Sequence, residues 1–318
     1  MTATAADVTI VIVNYNTRQL LRPCLDAVQA STGSLRLQTI VVENGSRDGS
    51  AAYLEADFAD CELIVNDTNV GFGRANNQAM ALVRGRYVLL LNTDAFVAPD
   101  SLASTVAYMD AHPASSVLGV RLVGRDGVLQ PSCRYFPTPW NEFLVRCGLA
   151  RFFPRTKLVD DMTWGHDQVR SCDWLPGCFY LVRKSVIDAV GLFDPRYFLY
   201  YEEVDHCRAV KAAGGEVTFF PGTTVVHIGG ESAKTDSVLT SSGRQISGLQ
   251  IESGLLYFRK HHGLAGVVAA ALLATIGDAV LALKSLVRRQ ARSGPVWQLS
   301  ADTWRLLLKT SFGTQPTR

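Results

Sequence analysis

Apolar runs and polar loops alternate regularly from Val8 to Leu122. Four runs of β-branched and aliphatic residues are typical of buried strands, and they are Val8–Val13, Leu37–Val42, Glu62–Val65 and Tyr87–Asn92. Segments with helical spacing follow these runs, and a fifth run at Val117–Leu122 completes the series. Strands that alternate with helices predict an α/β fold built on a doubly wound, mostly parallel sheet.

The polar residues that follow these strands predict one ligand site. Right-handed crossovers place the carboxyl ends of parallel strands on one sheet edge, which is where open α/β sheets bind ligands. This edge would collect Asn14, Glu43, Asp48, Asn69, Arg74 and Asp94. Asp94 also has a purely structural interpretation, in which it only opens the loop before the next helix.

The segment Gly71-Phe72-Gly73 resembles a turn that cradles phosphate, but a single GxG is weak evidence. It lacks the third glycine of a dinucleotide fingerprint and does not follow the first strand. A nicotinamide-dependent enzyme is therefore disfavoured. A nucleotidyltransferase is disfavoured as well, because the first strand is not followed by a basic, glycine-rich segment.

The second half of the chain predicts a less regular region and then more strands and helices. Pro131–Arg170 has four prolines, many rings and no clean period, so we expect an irregular segment that could carry acceptor contacts. Trp174–Arg183 predicts a strand and Ser185–Val190 a helix. Val217–Phe220 and Thr224–His227 predict two short strands.

Three acidic residues, Glu202, Glu203 and Asp205, open a helix that we expect to end at Gly214. Acidic residues in a first turn are stabilised by the helix dipole, which explains one or two of them. Three within four residues repel one another unless a cation or a proton-transfer role offsets the cost. At the end of its strand, His227 is either a structural residue or a candidate metal ligand.

Composition narrows the class of protein. The chain has 318 residues, with 47% hydrophobic and 19% charged residues and a net charge of +2, which indicates a globular protein that does not bind nucleic acid. Seven scattered cysteines without a CxxC pair indicate reduced thiols. The N-terminus does not read as a signal peptide, so we expect a cytoplasmic protein.

The C-terminal region differs from the rest in charge and in hydrophobicity. From Arg259 onward nine Lys or Arg oppose two Asp, a net charge of +7. Leu264–Leu283 contains one charged residue, Asp278, and its apolar residues recur at helical spacing. We expect a helix or helical hairpin on the inner face of the cytoplasmic membrane, with soluble packing, a dimer contact or a true span as alternatives.

Six segments of the chain, taken in order, resemble the family 2 glycosyltransferases, and in particular their rhamnosyltransferase-like subgroup. They are VTIVIVNYNT, VVENGSRDGS, NVGFGRANNQAM, LLLNTDAFVAPDSL, WLPGCFYLVRKSVIDAVGLFD and FLYYEEVDHCRAVKAAG, within residues 8–230. The resemblance implies a GT-A fold, a nucleotide-diphosphate-sugar donor of the UDP or dTDP type, a divalent metal (Mg²⁺ or Mn²⁺) and inversion at the anomeric carbon.

The resemblance also implies roles for individual residues. It assigns donor binding to Asn14, Tyr15, Asn16, Glu43, Asn69, Gly71, Arg74 and Asn92, metal binding to Asp94 and His227, and catalysis to Glu202 and Glu203. Within the catalytic pair Glu203 is the expected general base. The sequence departs from the family pattern twice, because Glu43 stands where Asp is usual and Asn92 replaces the first Asp of the DxD motif.

From these observations we predict a glycosyltransferase domain over residues 1–235 and a helical, basic region over 236–318. Within the domain, residues 1–122 would bind the nucleotide sugar and 123–235 would supply the acceptor and catalytic half. The expected function is sugar transfer to a lipid-linked or polysaccharide acceptor in cell-surface glycan synthesis. The alternative is a catalytically inactive nucleotide-sugar-binding or scaffold protein.

Overall fold

The computed structural model of the protein describes residues 6–229, 238–239, 245–246, 248–288 and 297–318. Two compact units are found in the chain. Unit 1 comprises residues 1–134, 162–195 and 202–234, and unit 2 comprises 135–161, 196–201 and 235–318. The predicted domain boundary at 235 lies outside the described residues and stays a prediction.

Unit 1 is an α/β unit around a ten-stranded sheet, in the order β3-β2-β1-β4-β9-β6-β10-β5, with β7 beside β6 and β8 beside β10. The strands are β1 (Ala6–Asn14), β2 (Leu37–Asn44), β3 (Glu62–Asn66), β4 (Gly85–Asn92), β5 (Ala95–Phe96), β6 (Ser115–Val123), β7 (Leu129–Gln130), β8 (Arg170–Ser171), β9 (Phe179–Arg183) and β10 (Glu216–His227). The helices of unit 1 are α1 (Arg18–Ala30), α2 (Ser50–Asp57), α3 (Phe72–Ala79), α4 (Ser101–Ala111), α6 (Lys184–Val190) and α7 (Glu202–Ala212).

The predicted α/β class and mostly parallel sheet are confirmed. Strands β3, β2, β1 and β4 run parallel, as do β6 and β10. Strand β9 lies inside the sheet and runs antiparallel to both of its neighbours, β4 and β6, and the two-residue strands β5, β7 and β8 also pair antiparallel. Strand β9 is also shorter than predicted, since the strand begins only at Phe179, and Trp174 to Cys178 precede it as loop.

The core of unit 1 explains why the apolar runs were continuous. Ile10, Val41 and Leu89 on neighbouring strands are fully buried, and helices cover both faces of the sheet. The two strands predicted at 217–220 and 224–227 form one strand, β10, with an irregular register between Phe220 and Thr224. The strands therefore differ from the prediction in their limits more than in their position.

The described part of unit 2 contains helices α5 (Pro139–Cys147), α8 (Gly248–Arg288) and α9 (Gln298–Lys309) and the antiparallel pair of β11 (Val238–Leu239) and β12 (Gln245–Ile246). Helix α5 lies in the segment that we predicted to be irregular, so the prediction was wrong for residues 139–147, whereas most of the rest of 131–170 has no regular structure. Thr138 and Asn141 form a capping box at its start, with Pro139 in the first turn. Gly148 ends it in a left-handed conformation.

Helix α8 is longer than predicted and bends at Gly263, whose φ of 65° is not helical. By length and composition it is the one helix in the described part of the chain that could cross a membrane, with a mean hydropathy of 2.1 in its most apolar window. Only 28% of that window is buried. Length and composition alone do not distinguish a span from a helix on a surface.

Asp278 explains how a charged residue fits into the apolar part of α8. Its side chain is 1% exposed and forms an ion pair with Arg146 of α5. Its second oxygen accepts a hydrogen bond from the Ser300 backbone N–H at 2.9 Å, in the first turn of α9. One buried carboxylate therefore joins all three helices of unit 2.

Replacing Asp278 should destabilise unit 2 strongly. In Asp278→Ala, Arg146 loses its partner and the first turn of α9 loses its acceptor, so we expect a loss of about 3 kcal/mol in the free energy of unfolding. Chemical denaturation measures it. Asp302→Ala is the matched control, since Asp302 pairs with the exposed Arg305 and should cost less than about 1 kcal/mol. Equal losses for the two variants would contradict the structural role of Asp278.

Candidate active site

Asp94 and His227 meet at the edge of the sheet beyond β4. Asp94 follows β4 and is 4% exposed, and His227 is the last residue of β10. The two are brought together by the backbone, because His227 pairs with Ala95 of β5 and the Ile228 N–H donates to the Asp94 carbonyl oxygen at 3.0 Å. The result is a distance of 3.5 Å between Asp94 Oδ1 and His227 Nε2.

Gln130 of β7 fixes the orientation of the His227 ring. Its amide nitrogen donates to the His227 carbonyl oxygen at 2.8 Å, and its amide oxygen lies 2.9 Å from His227 Nδ1. Nδ1 is therefore the N–H donor, and Nε2 is the nitrogen that faces Asp94. This is the arrangement in which a histidine is held as a metal ligand by a second partner.

Asp94 and His227 also interact electrostatically. Burial lowers the pKa of His227, but the neighbouring Cys178 and Asp94 outweigh burial and raise it to about 11. Without a bound cation the imidazole is protonated and stabilises the Asp94 carboxylate. A cation that bound both residues would take the place of this proton.

The donor set fits a cation that is shared with a substrate. Among the described residues no group of three or more His, Cys, Asp or Glu side chains is arranged to hold a metal. Two protein ligands are what Mg²⁺ and Mn²⁺ use where substrate phosphates and water complete the coordination. Asp94 and His227 could hold such a cation, and Asn92, at the end of β4, adds no negative charge.

The ends of β1 and β2 form a second group of polar side chains. Asn14 is fully buried and donates from its amide to Glu43 Oε2 at 2.5 Å, and Glu43 Oε1 accepts the Ser46 N–H at 2.6 Å. Asn16, with a φ of 53°, accepts the Arg47 N–H through its side chain and donates its own N–H to Ser46. Asn14, Asn16 and Glu43, which we predicted to bind the sugar donor, thus belong to one hydrogen-bond network.

This network is connected to the loop that carries Asp94. Thr17 donates to the Asn14 side-chain oxygen at 2.8 Å, and its hydroxyl lies 2.9 Å from that of Thr93. Tyr15 is partly exposed and directly follows Asn14, the last residue of β1. Hydrogen bonds therefore link the loops after β1 and β4.

The loop after β3 forms a third group. Asn69 accepts hydrogen bonds from the Asn44 amide and from the Gly71 N–H, both at 2.9 Å. Gly45 lets this loop approach the loop after β2, because a Cβ at Gly45 would stand 2.5 Å from the Thr68 carbonyl carbon. Asn69 thereby orients the backbone that enters α3.

Arg74 lies in the first turn of α3 and faces the chain after α6. Its Nε donates to the Pro195 carbonyl oxygen at 2.8 Å. The structure places Arg74 near the predicted donor loop but anchors part of its guanidinium to the backbone. Gly71, at the start of α3, has a φ of 95°, which favours glycine.

Glu203 lies at the start of α7, and the nearby backbone N–H groups of Glu203, Gly177 and Val204 favour its ionised form. Its Oε2 is inaccessible and has no hydrogen-bond partner among the described residues. Burial raises the pKa of Glu203, while the backbone donors and the Arg134 guanidinium oppose the rise. A buried carboxylate oxygen with spare accepting capacity suits a proton acceptor.

Glu202 faces a different element. It is 3% exposed, and its Cβ lies 3.6 Å from the place where a Cβ on Gly73 of α3 would stand. A Cβ on Gly177 would stand 3.9 Å from Glu203 Oε1 and 3.6 Å from the Phe72 ring. The adjacent glutamates therefore point to different neighbours, as the 100° step of a helix requires.

Five residues at the site were missed from the sequence, and they are Asn44, Ser46, Gln130, Arg134 and Gly177. Asn44 and Ser46 lie in a loop that was recognised as polar, but their partners are set by the approach of other loops. Arg134 stacks over Trp174 at 4.7 Å and acts on Glu203 from the segment predicted to be irregular. Gln130 had no signal in the sequence, because β7 is two residues long.

Comparison with known families and proteins finds one family model and several relatives that are similar to this chain. The model of the family described as glycosyl transferase family 2 matches residues 9–167. The chain is 27% identical over 239 residues to N-acetylglucosaminyl-diphospho-decaprenol L-rhamnosyltransferase of Mycobacterium tuberculosis, covering 69% of this chain and 75% of the relative. It is 26% identical over 226 residues to rhamnosyltransferase WbbL of Escherichia coli K12, covering 69% and 82%.

Solved structures share the fold at low sequence identity. The mannosyltransferase PcManGT from Pyrobaculum calidifontis, in complex with GDP-Man and Mn²⁺, superposes with a TM-score of 0.53 at 17% identity, covering 98% of this chain and 83% of that one. Residues 1–349 of S. aureus TarS, in complex with UDP-GlcNAc, give 0.51 at 14% identity, with coverages of 98% and 93%. The GT-A fold is thereby confirmed.

Removal of the Gln130 amide should weaken cation binding without unfolding the protein. In Gln130→Ala the His227 ring loses its orienting partner, so we expect the apparent affinity for Mn²⁺ to fall about 10–100-fold. Titration of Mn²⁺ by calorimetry in the presence of nucleoside diphosphate measures it. Gln78→Ala, which removes an exposed amide paired with Asn66, is the control and should leave the affinity unchanged. An unchanged affinity for Mn²⁺ in Gln130→Ala would contradict the assignment of His227 as a cation ligand.

Proposed function

Because the chain belongs to glycosyl transferase family 2, we propose that it is an inverting, metal-dependent glycosyltransferase that uses a nucleotide-diphosphate sugar. Rhamnose is the first candidate sugar, since two relatives are named rhamnosyltransferases. A lipid-linked or polysaccharide hydroxyl is the proposed acceptor, in line with the diphospho-decaprenol in the name of one relative. The proposed donor nucleotide is UDP or dTDP.

One observation carries this proposal more than any other. A Cβ on Gly177 would stand 3.9 Å from Glu203 Oε1, and the next residue, Cys178, accepts the Asn92 N–H at 3.1 Å, two residues before Asp94. Adjacent residues of one loop therefore lie beside the candidate base and beside the end of the strand that leads to the candidate cation site. A carboxylate base beside a cation site is what direct displacement at a sugar carbon requires.

The proposed chemistry assigns one task to each group. When bound, the divalent cation supplies positive charge that stabilises the leaving diphosphate. Asp94 and His227 would hold it, and the network of Asn14, Asn16 and Glu43 would bind the nucleoside. The Glu203 carboxylate would take the proton from the acceptor hydroxyl as the hydroxyl oxygen attacks the anomeric carbon on the face opposite the diphosphate.

Inversion follows from the use of a single displacement. Because no covalent glycosyl intermediate is formed, one base is sufficient. Glu203 has a free accepting oxygen for this proton. A scaffold that only bound a nucleotide sugar would gain nothing from a buried carboxylate with an unused acceptor, which supports the catalytic proposal over the inactive alternative.

A donor panel tests the proposed reaction class. We expect hydrolysis or transfer with a UDP- or dTDP-linked sugar in Mn²⁺ or Mg²⁺ and none in EDTA. Asp94→Ala should abolish turnover and weaken metal-dependent donor binding, with the melting temperature nearly unchanged. Asp57→Ala, at an exposed ion pair with Arg22, is the control and should be fully active. Full activity in EDTA, or in Asp94→Ala, would exclude the assignment of the cation site.

The two adjacent glutamates should differ in their kinetics. Because the base acts in the transition state, Glu203→Gln should lower kcat at least about 100-fold and keep donor affinity, while Glu202→Gln should be milder. Activity of the wild type should fall as the pH drops through the raised pKa of Glu203, because only the carboxylate accepts a proton. Stopped assays across pH with both variants measure this. An inactive Glu202→Gln beside an active Glu203→Gln would reverse the choice of base.

A further inference from the structure

The second half of α8 exposes an apolar face to solvent. We define the apolar stripe as Leu272, Ile276, Leu283, Leu286 and Val287, which recur at steps of three, four and seven residues and so share one side of the helix. Their exposed fractions range from 49% to 76%. Solvent-exposed helix faces are normally polar, and no described residue of the chain covers this stripe.

The stripe remains exposed although unit 2 covers the other sides of the helix. Leu273 and Val280 pack against α5, and the buried Asp278 lies beneath α9. In this half of the helix the carboxylate of Asp278 therefore points inward, while the aliphatic side chains of the stripe point outward. This is the reverse of a water-soluble amphipathic helix, and it removes the need to carry Asp278 into a bilayer.

Exposed aromatic and basic residues accompany the stripe within unit 2. Trp304 of α9 donates its indole N–H to Thr275 at 2.9 Å, which places this ring beside the stripe. The exposed segment Arg151-Phe152-Phe153-Pro154-Arg155 follows α5 and contains two rings and two cations. A Trp beside aliphatic residues, with exposed Phe and Arg elsewhere in the same unit, matches the composition of a lipid-binding surface, where apolar groups enter the acyl region and cations meet phosphates.

From these contacts we propose that the apolar stripe is a membrane-docking face, which lies on an anionic lipid surface with α8 parallel to the plane of the bilayer. Charge favours lipid over a second copy of the chain, because the region from Arg259 onward carries +7 and would repel itself in a symmetric pair. This inference rests on the proposed function, because the docking face would bring the enzyme to the surface that holds a lipid-linked acceptor. The contacts that support the docking face all lie within unit 2.

Vesicle flotation with the full-length protein tests the docking face. We expect binding to vesicles of phosphatidylglycerol and phosphatidylcholine, weaker binding to phosphatidylcholine alone, and only partial release by 1 M salt. The triple variant Leu272→Gln/Ile276→Gln/Leu283→Gln should bind at least about 100-fold more weakly, because each aliphatic side chain that enters the lipid adds to the free energy of membrane binding. Glutamine keeps the helix propensity of these exposed positions.

Two further variants test whether the effect is specific to the stripe and how much Arg151 and Arg155 contribute to vesicle binding. Val65→Gln/Val128→Gln/Val169→Gln changes three equally exposed valines of unit 1 and should bind vesicles as the wild type does. Arg151→Gln/Arg155→Gln should lose affinity for anionic vesicles and keep its affinity for neutral ones. A triple stripe variant that binds like the wild type would overturn the proposal.

Donor hydrolysis on the same samples distinguishes failure of this inference from failure of the proposed function. The stripe variant should keep metal-dependent hydrolysis in solution while losing vesicle binding. A wild type that hydrolyses donor but stays free of anionic vesicles would overturn the docking face alone, as would a wild-type dimer that the stripe variant dissociates without any vesicle binding. Vesicle binding without hydrolysis of any donor would leave the docking face supported and the proposed function contradicted.

Discussion

The candidate site depends on the two residues that lead into β9, Gly177 and Cys178. Cys178 accepts the Asn92 N–H through its carbonyl oxygen and lies near enough to His227 to raise the pKa of that imidazole, so it is tied to the end of β4 and lies near the end of β10. Gly177 lies beside both the Phe72 ring and the Glu203 carboxylate, at 3.6 and 3.9 Å from the place where its Cβ would stand. The antiparallel insertion of β9 between β4 and β6 is what places this pair at the edge where the parallel strands end.

The sequence predicted most of the fold of unit 1, for a simple reason. A strand that is buried on both faces must be apolar at every position, and such runs are recognisable without knowledge of their partners. Strand direction is not encoded in this pattern, which is why the antiparallel direction of β9 was not predicted. Helix α5 was missed because prolines and aromatic rings obscured its period, although Thr138, Pro139 and Asn141 are a recognisable helix start.

The candidate site was predictable where it follows strand ends and unpredictable where it depends on side chains that reach across the fold. Asp94 and His227 could be chosen from their positions after strands, and the structure brings them together. Gln130 and Arg134 could not, since their importance comes from contacts with His227 and Glu203 that no local pattern describes. The position of Asp278 inside an apolar helix could not be explained from the sequence either, because the buried carboxylate pairs with Arg146, which lies 132 residues earlier in the chain.

That separation along the chain also sets the order in which the protein can be completed during synthesis. All the described strands and helices of unit 1 have been synthesised once residue 227 is made, whereas α5 must wait for α8. Phe143, Leu144 and Cys147, which α8 later covers, stay uncovered while more than a hundred further residues are translated, on the order of 10 s. Over that interval the nascent chain combines a folded sheet with an unfinished helical unit, and this is the period in which a chaperone or a nearby lipid surface has access to the apolar face of α5.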